Sequence, residues 1–246
     1  MKSGFVQTQN FKLLKEAEKL VERRGAREAG LVLVQGQYGI GKSELTERWA
    51  SDNGHIFLRA KKTWAARSML DDIAKLIGVS IKGTAVDVQN RIIAHLSVTM
   101  QTIVIDEADH LLDARNATKL EVIRDITDLT GTMAFLVGMQ NFPATVQRYE
   151  HIASRVARIV QMQPLSMADV QATVKAKAEV AITPALVERM HNDCQGRMRL
   201  LLNAIANIEM WADANGWKEV DVQHVKNLAL CTDFSEHLSA RRRGTV

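Results

Sequence analysis

Residues 36–43 read Gly-Gln-Tyr-Gly-Ile-Gly-Lys-Ser, which satisfies the pattern G-x-x-x-x-G-K-[ST] at every fixed position. Glycines let a backbone curl until successive amide N–H groups point at one anion, and a helix N-terminus behind them adds positive potential. Lys42 is expected to reach the β- and γ-phosphates of a nucleotide, and the Ser43 hydroxyl to bind Mg²⁺. The predicted ATP site comprises Gly36, Gln37, Tyr38, Gly39, Ile40, Gly41, Lys42 and Ser43.

Two adjacent acids, Asp106 and Glu107, follow the apolar run Thr-Ile-Val-Ile at residues 102–105. A buried parallel strand that ends in acids places them at the carboxyl edge of its sheet, where a strand–loop–helix phosphate site also lies. We therefore predict that Asp106 holds Mg²⁺, mostly through water. Glu107 is expected to orient and polarise the water that attacks the γ-phosphate.

Alternating apolar strands and amphipathic helices must position these groups. Short β-branched runs predict five buried strands, over residues 31–35, 55–59, 102–106, 133–138 and 157–162. Helical spacing of apolar residues predicts helices over residues 9–24, 43–53, 67–77, 85–98, 116–130 and 143–151. This alternation favours an α/β fold, with a five-stranded parallel sheet sandwiched by helices.

The strand signal stops after Pro164. Helical spacing continues over residues 166–179, 184–194, 197–214 and 219–236. We therefore predict two domains. The first is an α/β nucleotide-binding core with its N-terminal helix, over residues 1–163, and the second is a small all-α lid over residues 164–246. The lid ends in a short basic tail with three arginines at residues 241–243.

With both motifs in place, the chain resembles an AAA+ ATPase of the P-loop NTPase class over residues 8–232. The resemblance implies ATP and Mg²⁺ as cofactors, and it implies further functional positions. A polar sensor of the γ-phosphate is expected at Gln140 or Asn141, which follow the fourth strand, and the choice between them stays open. Arg199, in the segment Gly-Arg-Met-Arg at residues 196–199, resembles a second sensor of the same phosphate.

The resemblance also implies an arginine finger. The segment Ser-Arg-Val at residues 154–156 resembles a clamp-loader motif, so Arg155 is expected to stabilise transition-state charge on ATP held by a neighbouring subunit. Arg158 is the alternative residue for this role. A finger that acts in trans implies a homo-oligomer that forms through the ATP site.

Within the AAA+ group, the chain is similar to the ATPases that deliver target DNA for transposons, the family of the phage Mu B protein. Residues 11–43 and 101–111 carry this similarity. It implies an ATP-dependent filament or ring on duplex DNA of any sequence, which delivers the target to a transposase and activates it.

Cations in two predicted loops are candidates for contacts with DNA phosphates, which require no reading of sequence. Lys61, Lys62 and Arg67 follow the second strand, and Arg115 and Lys119 follow the acidic stretch after the third strand. Trp64, among the first three cations, packs either against DNA or in the protein core, and the core is the favoured interpretation.

The composition is that of a globular protein with a mild excess of positive charge. Of 246 residues, 46% are hydrophobic and 24% are charged, and the net charge of +4 permits nucleic-acid binding without requiring it. The sequence shows no membrane span and no signal-peptide pattern, so a cytoplasmic protein of a bacterial host cell is expected. Cys194 and Cys231 are expected to be reduced core residues.

Two alternatives to a transposition role use the same residues. A helicase loader or replication initiator would act through this core on a partner helicase in place of a transposase. A nucleotide-gated interaction module would bind ATP with hardly any hydrolysis, and the presence of Glu107 argues against it.

Overall fold

The structure is a computed structural model that describes residues 1–113 and 116–232. The chain forms two compact units. The α/β unit comprises Asn10–Gln37 and Lys42–Met162, whereas the helical unit comprises Met1–Gln9, Tyr38–Gly41 and the chain from Gln163 onward. The first nine residues and part of the glycine-rich loop thus group with the helical unit, so the division is not a single cut along the chain.

A sheet of five parallel strands organises the α/β unit. The strands span Leu31–Gln35 (β1), Ile56–Arg59 (β2), Ile103–Asp106 (β3), Ala134–Gly138 (β4) and Val156–Gln161 (β5). Their order across the sheet is β2-β3-β4-β1-β5, and every pairing is parallel. Each strand lies within one residue of its predicted bounds, because apolar β-branched runs suit strands that are buried on both faces. The predicted five-stranded parallel fold is confirmed.

Helices precede and connect these strands. They span Gln9–Glu22 (α1), Lys42–Asp52 (α2), Ala66–Leu76 (α3), Ala85–Thr99 (α4), Thr118–Thr130 (α5), Phe142–Val146 (α6) and Glu150–Ala153 (α7). The single helix predicted over residues 143–151 is wrong, since two short helices occupy this stretch. The helical path is interrupted at Tyr149, whose φ of −111° and ψ of 82° lie outside the helical region.

Buried polar contacts hold α2, the helix behind the glycine-rich loop, against α1. The indole N–H of Trp49 donates to Glu18 at 3.1 Å, and His55 contacts the other oxygen of the same carboxylate at 3.1 Å. Burial acts to raise the pKa of Glu18, but the hydrogen bonds from His55 and Trp49 outweigh it, so this pKa lies below its ordinary value. Trp49 also packs against Phe135 of the central strand β4.

In its described part, the helical unit consists of three helices and a small sheet. The helices span Met167–Lys177 (α8), Pro184–Cys194 (α9) and Met198–Asn215 (α10), and the two-residue strands Ala181–Ile182 (β6) and Glu219–Val220 (β7) pair in parallel. None of the helices in the described parts of the chain combines the length and the apolar character that a membrane crossing requires.

The helix predicted over residues 219–236 is wrong in its described part. After β7 the chain forms turns as far as residue 232. Val220, Val225 and Leu230, which are apolar residues of this stretch, are buried in one cluster with residues of α9 and α10. The guanidinium of Arg189 donates to the carbonyl oxygens of Val225 and Leu228. These side-chain bonds satisfy backbone acceptors that a helix would otherwise satisfy.

Candidate nucleotide-binding site

The glycine-rich loop connects β1, which ends at Gln35, to α2, which begins at Lys42. Gly39 and Gly41 adopt φ values of 78° and 92°, a backbone region that favours glycine. The ammonium of Lys42 donates to the carbonyl oxygens of Gly36 and Gln37, both at 2.8 Å. A cation is therefore held beside the start of the loop, where it can exchange carbonyl oxygens for phosphate oxygens.

The first turn of α2 presents the second component of this site. Ser43 is half-buried in that turn. The Thr46 hydroxyl donates to the carbonyl oxygens of Lys42 and Ser43, at 2.9 and 3.2 Å. The N–H groups at the start of a helix have no partner within the helix and carry positive potential, so this end suits an anion.

The two predicted acids lie in contrasting environments, Asp106 as the last residue of β3 and Glu107 directly after it. Asp106 is 3% exposed, whereas the side chain of Glu107 is 52% exposed. Glu107 adopts φ 53° and ψ 38°, a left-handed conformation that costs a non-glycine residue about 1 kcal/mol or more. A buried carboxylate beside one that faces solvent fits one metal ligand and one group that activates water.

Arg59 lies against both acids, and the sequence analysis missed it. As the last residue of β2, it pairs in register with Asp106 on β3. Its Nε lies 3.3 Å from Oδ2 of Asp106 and 3.9 Å from Oε1 of Glu107. The available signal was positional, because the final residues of adjacent parallel strands meet at the same edge of a sheet.

The loop after β4 follows a strand that lies between β3 and β1. The backbone N–H of Met139 donates to Oδ2 of Asp109 at 2.8 Å, which ties this loop to the turn after the acids. Gln140 and Asn141 are both exposed there. Either amide can therefore serve as the polar sensor, and both stay candidates.

Within the helical unit, the glycine-rich loop contacts the start of α10. The backbone N–H of Arg199 donates to the carbonyl oxygen of Gly39 at 2.9 Å. The guanidinium of Arg197 lies 4.9 Å from the centre of the Tyr38 ring, and its Nη1 donates to the Tyr38 hydroxyl at 3.2 Å. Arg199 itself is exposed, so the candidate second sensor lies next to the loop.

The two candidates for the arginine finger lie at β5, an edge strand of the sheet. Arg155 directly precedes β5, and its side chain is one-third exposed. Its Nε donates to Oδ2 of Asp128 at 3.0 Å, and its Nη1 donates to the Ser154 hydroxyl at 3.0 Å. Arg158 is exposed within β5 and forms no ion pair among the residues the structure describes.

The structure contradicts the prediction that Lys119 contacts DNA. The residue is 3% exposed, and its ammonium lies 2.9 Å from Oδ1 of Asp113. A buried ammonium that is paired with a carboxylate of its own chain cannot meet a DNA phosphate. Arg115, predicted beside it, lies outside the described residues.

The cations after β2 are mostly engaged within the chain. Arg67 pairs with Asp71 at 2.9 Å and also donates to two backbone carbonyl oxygens, those of residues 81 and 83, so it holds the connection between α3 and α4. Lys61 lies 2.7 Å from Asp72. Lys62 is exposed and has no ion pair within the described parts of the chain.

Trp64 confirms the favoured interpretation of a core residue. It is 6% exposed, and its indole N–H donates to Asp72 at 2.9 Å. The hydrogen bond from Lys61 lowers the pKa of Asp72, burial acts against that effect, and the hydrogen bond from Trp64 adds to it. Asp72 thus links a surface lysine to a buried aromatic ring.

Comparisons with known proteins identify a related family and a related fold. A family model described as AAA domain matches residues 23–146, just over half of the chain. Among curated proteins no match was found.

Several solved structures are similar along most of the chain. The ORC2 protein of Aeropyrum pernix, in ADPNP–ADP complexes, has a TM-score of 0.67 at 17% identity, over 92% of this chain and 70% of that one. Cdc6p of Pyrobaculum aerophilum has a TM-score of 0.67 at 15% identity, over 97% and 71%. The Aeropyrum pernix ORC1 protein in complex with DNA has a TM-score of 0.60 at 18% identity, over 96% and 66%. Identities this low show a shared fold.

Proposed function

Because this chain belongs to the AAA domain family, we propose that it is an ATPase of the replication-initiator or helicase-loader kind, which binds duplex DNA in its ATP-bound state. One observation carries the proposal. Lys42, Asp106 and Glu107 belong to the loop, helix start and strand end that meet at the carboxyl edge of one sheet, in a fold shared with ORC and Cdc6 proteins.

The chain's own groups suit a magnesium-bound triphosphate. The curled backbone around Gly39 and Gly41 and the start of α2 present N–H donors, and Lys42 adds a mobile positive charge. The Ser43 hydroxyl and the Asp106 carboxylate are hard oxygen donors, which is the type that Mg²⁺ prefers. When bound, Mg²⁺ supplies charge neutralisation at the β- and γ-phosphates.

Hydrolysis requires a base that faces solvent, and Glu107 is the group that meets this requirement. Its carboxylate accepts the proton of the attacking water and orients that water for in-line attack. Arg59, within 3.9 Å of both acids, holds positive charge beside them. We propose Gln140 or Asn141, in the loop after β4, as the sensor of the γ-phosphate, and we propose Arg199, in the helical unit, as the second sensor.

A complete site also uses an arginine from a second copy of the chain. We assign this finger to Arg155, because Nε is bonded to Asp128 and Nη1 to Ser154, which fixes the plane of a partly exposed guanidinium. A fixed guanidinium stabilises transition-state charge better than a mobile one. Arg158 stays the alternative. This assignment makes assembly a condition of rapid turnover.

Two lysines of the described chain support the DNA-binding part of the proposed function. Among the predicted cations that the structure describes, Lys62, and Lys61 if it leaves Asp72, can still contact phosphates. Such contacts attract any DNA sequence and weaken as salt rises. A relative of the same fold, the Aeropyrum pernix ORC1 protein, is described in complex with DNA.

Target-DNA delivery to a transposase is the second candidate. The resemblance of residues 11–43 and 101–111 to that family favours it, whereas the fold comparisons favour the initiator kind. Stimulation of a co-encoded transposase in the presence of ATP and target DNA would support delivery. Loading of a replicative helicase in the same assay format would support the initiator kind.

Fluorescence anisotropy of a labelled duplex tests the nucleotide-dependent step. The protein is titrated with ADPNP, with ADP and without nucleotide, each over a series of salt concentrations. We expect affinity to be about 10-fold or more higher with ADPNP, in line with typical coupling between two ligands, and to fall as salt rises.

Lys42→Ala provides the matched control for this experiment, because it removes one expected phosphate contact of the nucleotide and changes none of the candidate DNA contacts. At a nucleotide concentration that saturates the wild-type protein but not the variant, we expect the DNA affinity of the variant to be nearly the same in all three nucleotide states. Equal affinities for the wild-type protein in those states, or no binding at low salt, would overturn the proposal.

A further inference from the structure

The two cysteines of the chain lie side by side, although 37 positions separate them in sequence. The Sγ atoms of Cys194 and Cys231 are 3.7 Å apart. Both residues belong to the helical unit. Neither helical spacing nor composition predicts this pairing, because Cys231 lies in the stretch whose predicted helix the structure replaces with turns.

Specific contacts bring the two thiols together. Cys194 is the last residue of α9 and is fully buried. Leu230, next to Cys231, is 1% exposed, and its carbonyl oxygen accepts a hydrogen bond from the Asn207 side chain at 3.0 Å. Arg189 on α9 fixes the preceding turns through two carbonyl oxygens. Several independent hydrogen bonds therefore hold the stretch that contains Cys231 against the end of α9.

The two thiols differ in their access to solvent. Cys231 is partly exposed, and its Sγ lies 3.8 Å from the carbonyl oxygen of Asp193. A hydrogen bond with Cys231 and burial raise the pKa of the Cys194 thiol above its ordinary value. A thiolate is the reactive form in exchange chemistry, so Cys231 is the thiol that meets an external reagent and Cys194 is the one that follows.

We propose that Cys194 and Cys231 form a thiol–disulfide exchange site, which low-molecular-weight disulfides oxidise to a reversible cross-link within the helical unit. The geometry carries this assignment: two thiols in van der Waals contact, one buried and one reachable, held by a fold that positions both. Closure needs the sulfur atoms to approach from 3.7 Å to about 2 Å.

The reaction balances in two exchange steps. The Cys231 thiolate attacks one sulfur of a small disulfide, which forms a mixed disulfide and releases one small thiolate. The Cys194 thiol loses its proton and attacks the Cys231 sulfur, which forms the internal disulfide and releases the second small thiolate. Two protein thiols lose two protons and two electrons, and the small disulfide is reduced to two thiols.

The position of the cross-link gives it a consequence for the glycine-rich loop. Only Gln195 and Gly196, both with positive φ, separate Cys194 from residues 197–199. Those residues contact Tyr38 and Gly39 through the Arg197 side chain and the Arg199 backbone. A cross-link at Cys194 restrains this turn. We expect weaker binding of nucleotide in the oxidised protein, by about 5-fold, since the turn can no longer adjust to the phosphates.

Mass spectrometry of the intact chain tests the exchange site directly. The protein is equilibrated in buffers with increasing ratios of oxidised to reduced glutathione, and the thiols are then blocked. We expect the wild-type mass to fall by about 2 Da, the loss of two hydrogens, and to recover on reduction. Cys194→Ser should retain one glutathione on Cys231, and Cys231→Ser should stay unmodified.

Two results would overturn the exchange site. One is a wild-type chain that stays reduced across the whole series, and the other is a stable glutathione adduct that never resolves to the internal disulfide. Both results are measured on the wild-type protein, so a misfolded variant cannot produce either of them.

Calorimetric titration with ADPNP, on the oxidised and the reduced protein, tests the coupling to the loop. This part rests on the proposed function, whereas the mass measurement does not. We expect the affinity of Cys231→Ser to be the same under both conditions. Equal affinities for both wild-type forms would overturn the coupling, and absence of nucleotide binding in both would instead refute the proposed function.

Discussion

The charged residues at the carboxyl edge of the sheet and those of the predicted DNA surface differ in burial and in their partners. The predicted DNA surface is the set of cations expected to contact DNA, namely Lys61, Lys62, Arg67, Arg115 and Lys119. At the edge, Glu107 is half-exposed in a strained backbone conformation, and Lys42 donates to backbone carbonyl oxygens. On the predicted DNA surface, Lys119 is buried against Asp113, and Arg67 is committed to Asp71 and two carbonyl oxygens.

The difference shows what a list of cations or acids in a sequence leaves open. A buried cation that is paired with a carboxylate of its own chain, such as Lys119, is part of the fold, and its loss changes stability before it changes binding. A charged group that is exposed at strained backbone, or bonded to groups it can exchange, is placed for a ligand. Variants at the carboxyl edge of the sheet should therefore change turnover or affinity, whereas variants of the buried or paired cations should change stability.

The largest effect is expected from Glu107→Gln. The amide keeps the size of the side chain but cannot accept the proton of the attacking water, so kcat for ATP hydrolysis should fall about 10²- to 10⁴-fold. Steady-state phosphate release measures kcat, and calorimetry with ADPNP should show that binding is retained. Glu47→Gln, at an exposed position within α2, is the matched control. Unchanged turnover in the Glu107 variant would remove this residue from the mechanism.

Lys42→Ala should have the next largest effect, on affinity. Loss of charge-assisted hydrogen bonds to phosphate oxygens predicts binding that is about 10- to 100-fold weaker, measured by calorimetric titration of Mg-ATP. Lys62→Ala removes a comparable cation from the predicted DNA surface and should leave ATP affinity unchanged. Equal losses in the two variants would erase the contrast between the regions.

Much of the α/β unit follows from its sequence, because local pattern and tertiary burial agree there. Runs such as residues 31–34 are apolar at four successive positions, and only a central parallel strand buries both faces at this length. The turns after Glu219–Val220 were not predictable. Their apolar spacing is helical, but the bonds that replace a helix come from Arg189, 30 or more positions earlier in the chain.

The candidate site divides in the same way. The glycine-rich loop and the two acids could be found because a fixed spacing in one stretch encodes each of them. Arg59 was missed since its role arises from strand register, and Lys119 was misassigned since its burial depends on how α5 packs. Contacts between distant segments decide such cases, and a single sequence does not display them.

Variants of Lys119 should change the stability of the protein and leave its DNA affinity unchanged. Lys119→Ala removes a buried aliphatic stem and should lower the free energy of unfolding by about 2 kcal/mol, as urea denaturation would show. Lys119→Met keeps most of the stem and should cost less than about 1 kcal/mol. Neither variant should alter DNA affinity. Weaker DNA binding by a stably folded Lys119→Met protein would show that the ammonium does reach DNA.

The smallest effect is expected from Asp72→Asn. This substitution changes the partner of Lys61, an exposed lysine that is paired within the chain and is also a predicted DNA contact. Asp72 has a pKa below its ordinary value, mainly because Lys61 donates to it. Its carboxylate therefore stabilises the fold above the unfolded-state pKa of about 4, and this contribution is lost as pH falls through the lower native-state pKa. The variant should lose at most about 1 kcal/mol near neutral pH, and its stability should fall less steeply in acid. The substitution also releases Lys61. If that lysine lies on the DNA path, anisotropy should show tighter duplex binding and a salt dependence steeper by about one phosphate contact. An unchanged affinity would assign Lys61 to the fold together with Lys119 and leave Lys62 as the sole predicted cation on the DNA path among the described residues.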